Sequence, residues 1–208
     1  MKNRTKALSI LLLFLAMLLN GQAIAAGGAA DLYRASYQAE ARGDYADALA
    51  KVRQIRKVSG ASYFLSLRTG WLAYLAGDYA AAEASYREAV AAKPKVIEAQ
   101  VGLTLVLFVA KKWRDLQVAC QQVLDQDAKH AEVRARLAAG QYNLGDLPNA
   151  ARGYRKLVDD YPGELDYQTG LGWVLLRMGK RAEARQIFEG VLAVSPDNVN
   201  AKQGLAAR

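Results

Sequence analysis

The chain has 208 residues, carries a net charge of +8 and is 52% hydrophobic, enough for one ordinary domain or a short repeat array. Its single cysteine, Cys120, excludes an internal disulfide, so packing alone must hold the fold. Its single histidine, His130, excludes a His-rich metal site and leaves any histidine-dependent triad with one candidate base.

Residues 1–6 bring three cations and no acid, and an unbroken apolar run follows from Ala7 to Leu19. Asn20-Gly21-Gln22 and the small-residue pattern Ala23-Ile24-Ala25 come next. That order predicts a secretory signal peptide over residues 1–25, cut after Ala25. The apolar run falls short of the roughly 20 residues that span a bilayer as a helix. An uncleaved anchor is the competing reading, and it is the only route by which the chain would meet a membrane. No cysteine stands directly after the run, so a lipid anchor is not supported. The expected destination is the periplasm of a Gram-negative bacterium, or beyond it. Cleavage would leave 25 bases against 20 acids, a net +5. That balance suits anionic envelope polymers, and the compartment argues against nucleic acid.

Beyond the leader the chain repeats itself. Gly43-Asp44-Tyr45 returns 34 residues later as Gly77-Asp78-Tyr79, and the same step reaches Lys111, Gly145 and Gly179. Five units therefore tile residues 29–62, 63–96, 97–130, 131–164 and 165–198 without an insertion. Apolar residues at helical spacing flank each turn, as with Phe64, Leu67, Trp71 and Leu75 before Gly77 and Ala82, Tyr86, Ala89 and Val90 after it. In the turn, glycine can take the left-handed conformation that closes a helix, and the aspartate can cap the next one. Pro148 suits the first turn of a helix. Lys111-Lys112 replaces Gly-Asp at the third turn and Lys180-Arg181 follows Gly179 at the fifth, where cations complement the end of the preceding helix.

Small residues stand at position eight of the units (Ser36, Gly70, Thr104, Ala138, Gly172) and, with one exception, at position twenty (Ala48, Ala82, Leu116, Ala150, Ala184). Position twenty-four holds Val52, Tyr86, Cys120, Tyr154 and Phe188. Pro94, Pro162 and Pro196 end units two, four and five, and Gly60 and Ala128 take that place in units one and three. Residues 199–208 begin like the first helix of a sixth unit, with Leu205 and Ala206 where Leu171 and Gly172 stand.

This pattern resembles the tetratricopeptide repeat, with units two, four and five the better matches. The resemblance implies an all-α solenoid of five antiparallel helix pairs forming a right-handed superhelix, with residues 199–208 as a short capping helix. It also implies a concave groove lined by the first helix of each pair, where such proteins hold peptides or partner segments. At the groove positions stand Tyr33, Tyr37 and Glu40, then Phe64, Trp71 and Tyr74, then Leu105 and Phe108, then Tyr142, and finally Trp173 and Arg177. Aromatic residues dominate binding hot spots, so this set is the candidate partner site; the competing account is packing within and between hairpins. Some family members clamp a peptide carboxylate, but Tyr33, Tyr37, Arg68, Glu98 and Gly102 occupy those places here and most of the clamp is absent.

The segment from Lys51 to Lys57, KVRQIRK, places four cations on one helix and reads as a solvated outer face, with docking to an anionic polymer as the alternative. Cys120 falls on a buried position, so it reads as a core residue rather than a reactive thiol. No phosphate loop, HExxH motif or nucleophile elbow occurs, and neither catalysis nor a cofactor is expected. The functional expectation is a non-catalytic envelope scaffold that binds a protein or peptide. The alternative is a structural subunit of an envelope assembly or polysaccharide-export complex, stacking through its C-terminal end or binding anionic polysaccharide.

Overall fold

The computed structural model describes residues 28–207, so the leader at 1–25 lies outside the described residues. Among the described residues every regular element is a helix. Helix α1 covers residues 28–41. It is followed by α2 (Tyr45–Ser59), α3 (Tyr63–Leu75) and α4 (Tyr79–Ala92). Next come α5 (Ile97–Val109), α6 (Trp113–Leu124), α7 (Ala131–Leu144) and α8 (Leu147–Asp160). The series ends with α9 (Leu165–Arg177), α10 (Arg181–Val194) and α11 (Val199–Ala206). The contacts divide the chain into one compact unit ending at Lys93 and a second beginning at Pro94. In the first unit α2 packs on α3 and α3 on α4. In the second unit each helix packs on the next, and α5, α7, α9 and α11 also touch in that order. No described helix is long and apolar enough to cross a membrane.

The turns show why the Gly-Asp step recurs. Gly43, Gly77, Gly145 and Gly179 have φ of 76°, 78°, 86° and 80°, in the region where a side chain clashes with its own backbone. The aspartate that follows then caps the next helix: Asp44 accepts from Asp47 N, Asp78 from Ala81 N and Asp146 from Asn149 N. Pro148 lies in the first turn of α8, where its missing N–H costs nothing. At the third turn Lys111 takes φ 55° in the glycine's place, and Lys112 gives α6 no side-chain cap. Lys180 likewise provides no cap for α10, and its ammonium instead pairs with Glu183 at 2.9 Å.

The core is built on size matching between positions eight and twenty-four. A Cβ on Gly70 would lie 2.9 Å from the Tyr86 ring, and one on Gly172 would lie 2.6 Å from the Phe188 ring. Tyr86 and Phe188 therefore each need a glycine in their own hairpin, whereas Tyr154 has Ala138 at that position. Rings press on the next hairpin too: a Cβ on Gly170 would reach 2.5 Å from Tyr154, and one on Gly204 would run into Phe188. Where position twenty-four is small the arrangement changes. Val52 and Cys120 are wholly buried, and the residue sixteen places further on is Arg68 or Arg136 instead of glycine. Each arginine donates back to the hydroxyl at position eight of the preceding hairpin, Arg68 to Ser36 at 2.9 Å and Arg136 to Thr104 at 3.1 Å. Within each of the two compact units, successive hairpins thus meet through one of two devices, a ring against glycine or an arginine against a hydroxyl.

Glutamines tie down two of the connections. Gln100 Nε2 donates to the Pro94 carbonyl and Gln168 Nε2 to the Pro162 carbonyl, each at 2.7 Å. Since proline cannot continue a helix, these bonds fix the bend it makes at the entry to α5 and α9.

Candidate partner-binding surfaces

In the first unit, α1 and α3 bring together six of the residues expected to line a groove with one that was not expected to matter. The unexpected one is Arg68, only 8% exposed. A buried guanidinium needs partners on several sides. Its Nη2 donates to Glu40 Oε2 at 3.0 Å and to Ser36 Oγ at 2.9 Å, and its carbon lies 3.7 Å from the centre of the Tyr37 ring. That last contact is a cation–π pair in a partly desolvated place. Ser36 Oγ passes the chain on by donating to the Ala48 carbonyl of α2. Arg68 Nε is buried without a hydrogen-bond partner.

Glu40 is the second hub. Its Oε1 accepts from Trp71 Nε1 at 3.0 Å while its Oε2 takes Arg68, so one carboxylate fixes both an indole and a guanidinium. Trp71 stacks on Tyr74 with centroids 5.9 Å apart, and Tyr74 leans on Tyr79 at 6.0 Å. Tyr33 meets Phe64 at 5.9 Å, and burial raises the Tyr33 phenol above its ordinary pKa. The result is a held, largely aromatic face with Tyr37 50%, Phe64 48% and Trp71 40% exposed, too much for core residues.

The second unit treats its share of the predicted residues differently. Leu105, Phe108, Tyr142 and Trp173 are half-buried. Trp173 sets its ring edge-on to Phe188 at 5.7 Å, and Phe108 does the same to Trp113 at 5.8 Å. Of this group only Arg177 is exposed; it donates to the Tyr142 carbonyl at 2.6 Å and lies 5.0 Å from the centre of the Tyr142 ring. Most of the groove positions here support hairpin packing, and the three most exposed rings, Tyr37, Phe64 and Trp71, belong to α1 and α3. Periodicity places a residue on a face but does not say which way its ring turns. Arg68 had a sequence signal in retrospect, an arginine following a small position twenty-four, which recurs at Arg136.

The basic stretch of α2 is largely neutralised. Lys51 pairs with Asp47 at 3.2 Å, Arg53 with Asp78 at 3.3 Å and Arg56 with Glu88 at 2.5 Å. The hydrogen bond from Arg56 holds the Glu88 carboxyl below the usual range. Cys120 is fully buried, and burial pushes its thiol up to about 12, the opposite of an activated nucleophile. His130 stands at the start of α7 without capping it. Among the described residues no group of three or more His, Cys, Asp or Glu side chains is placed to hold a metal ion. The outward residues of α11 include Asn200, Lys202 and Gln203, while Ala201 and Gly204 face inward.

Comparison with known proteins agrees with this architecture. The chain superposes on a fragment of MamA from Desulfovibrio magneticus RS-1 with a TM-score of 0.77 at 19% identity, covering 83% of this chain and 97% of that one. A tetratricopeptide repeat protein from Parabacteroides merdae gives 0.78 at 16% identity, over 86% of this chain and 71% of that one. YrrB, described as a tetratricopeptide repeat protein with an unusual peptide-binding site, gives 0.72 at 16% identity, over 83% and 89%. No curated protein sequence matches the chain. The family model for the tetratricopeptide repeat matches residues 33–97 and 132–199, well over half of the sequence. It passes over the stretch where Lys111-Lys112 replaces Gly-Asp and Cys120 replaces the aromatic. With the helix pairs, their turn chemistry and this match in agreement, the chain belongs to the tetratricopeptide repeat family.

Proposed function

We propose that this protein is an exported, non-catalytic scaffold that holds a segment of a partner protein against the aromatic face of α1 and α3. The observation that carries the proposal is the exposure of Tyr37, Phe64 and Trp71 on a surface where Arg68 and Glu40 already hold Tyr37 and Trp71 in place. A surface held in place before binding spends little free energy on ordering itself, and exposed aromatic rings are the commonest binding anchors. Family membership supports a protein-binding role, and YrrB offers a relative by fold whose description names a peptide-binding site. The leader at residues 1–25 supports export to the periplasm.

The test is capture of partners from envelope extract by the wild-type chain and by the Trp71→Ala and Phe64→Ala variants. The wild type should retain a defined protein that both variants lose, with the helical circular dichroism signal unchanged. Equal retention by the variants, or retention of nothing from the envelope, would falsify the proposal.

A further inference from the structure

We propose that the occupant of the α1–α3 face is an extended, uncharged, proline-rich segment in the polyproline II conformation. The inference rests on the partner-segment reading above and adds the chemistry of the segment. It follows from what the face has left to offer once its internal bonds are counted.

The charges come first. Both oxygens of Glu40 are engaged, one by Trp71 and one by Arg68, and the Arg68 guanidinium is enclosed by Glu40, Ser36 and the Tyr37 ring. A lysine or a carboxylate brought by a partner would find no free counter-charge among them, and would lose its hydration without compensation. The face therefore selects against charged segments.

Hydrogen bonding narrows the choice further. The indole N–H of Trp71 is committed to Glu40, and Phe64 has none to give. Tyr37 is half exposed and Tyr33 partly so, and each carries a hydroxyl that can donate to an incoming acceptor. A proline-rich segment presents carbonyl acceptors that no internal bond uses, and it has few N–H groups to strand against aromatic rings. A helical ligand has its carbonyls bonded within itself and would leave both phenols unmet. An extended segment that needs a sheet edge is unsuited too, because α1 and α3 present none.

Spacing and entropy agree. Phe64 and Trp71 are seven residues apart on α3, about 10.5 Å along its axis. One turn of polyproline II advances about 9.3 Å, so pyrrolidine rings one turn apart can stand over both aromatic faces. Such a segment is already extended when free, and docking it on a fixed aromatic surface loses little conformational freedom.

The experiment follows by isothermal titration calorimetry the titration of the full chain with a blocked oligoproline of about ten residues, about 31 Å long in this conformation. A blocked alanine-based helical peptide of about 20 residues, about 30 Å long as a helix, is the comparison. The oligoproline should saturate the signal with little dependence on salt. Trp71→Ala should weaken it about tenfold or more, and Tyr37→Phe, which keeps the ring over Arg68, should weaken it several-fold. Trp71-dependent binding of the helical peptide alone would overturn the proposed chemistry while leaving the partner-segment reading intact. Oligoproline binding unchanged by Trp71→Ala would show that the site is elsewhere and overturn the inference. An absence of oligoproline binding alongside Trp71-dependent capture of an envelope protein would overturn it as well.

Discussion

Lys111 occupies a backbone conformation that its side chain disfavours. Among the described residues it is the only non-glycine with positive φ, at 55°, and it does what glycine does at the other four turns. The left-handed region costs an L-residue about 1–2 kcal/mol, partly offset by the extra freedom glycine has in the unfolded chain. Lys111→Gly is therefore expected to stabilise the fold by about 0.5–1 kcal/mol, raising the thermal midpoint by about 1–4 °C. A scanning-calorimetry midpoint that stays level or falls would show that Lys111 is not strained. The turn glycines and capping aspartates were legible in the sequence because each role belongs to one residue type at one position. Ring direction was not legible. Trp71 and Trp173 share position nine of their units, yet one stands exposed beside Glu40 and the other lies edge-on to Phe188. The sequence places both on the same face; the neighbouring side chains decide which of them a partner could reach.

At the scale of helices, two incompatible ways of joining hairpins share one repeat length. The residue sixteen places after Val52 or Cys120 is arginine, and the residue sixteen places after Tyr86, Tyr154 or Phe188 is glycine. A ring needs the space a glycine leaves, and a small residue leaves space that an arginine fills while reaching Ser36 or Thr104. Cys120→Phe should therefore overpack its site and cost about 1–3 kcal/mol. The same change made together with Arg136→Gly and Thr104→Ala should cost less, by about 1 kcal/mol or more, because these positions couple. Urea unfolding of the members of that cycle measures the coupling, and strict additivity would show that the two devices are independent. The 34-residue period and the existence of the helices were read readily from the sequence. The alternation was missed because a search at a single period compares each unit with its neighbour and treats the differences as noise.

For the molecule as a whole, buried weak acids set an upper limit on pH. Burial moves the Cys120 thiol from 9.0 to about 12 and the Tyr154 phenol from 10.0 to about 12. Both groups are more acidic in the unfolded chain, so the stability they confer is complete below about pH 9 and is lost as pH rises towards 12. Each contributes a slope of about 1.4 kcal/mol per pH unit within its window. Cys120→Val, which installs the residue found at Val52, should delay the onset of alkaline unfolding from about pH 9 to about pH 10, where tyrosine begins to ionise. An onset that does not move would remove the thiol from the account. Glu88 acts in the other direction: its lowered pKa makes its bond with Arg56 a contribution that fades as the solution is acidified below the ordinary glutamate range. The two kinds of junction also bear on how such an array can lengthen or shorten. Excising the third unit alone would set Tyr86 against Arg136, and excising the fourth alone would leave Cys120 facing Gly170 with a void between them. Taking out both would bring Tyr86 to Gly170, a ring to a glycine, so in the middle of this chain the smallest piece whose removal keeps the junctions matched is 68 residues rather than 34.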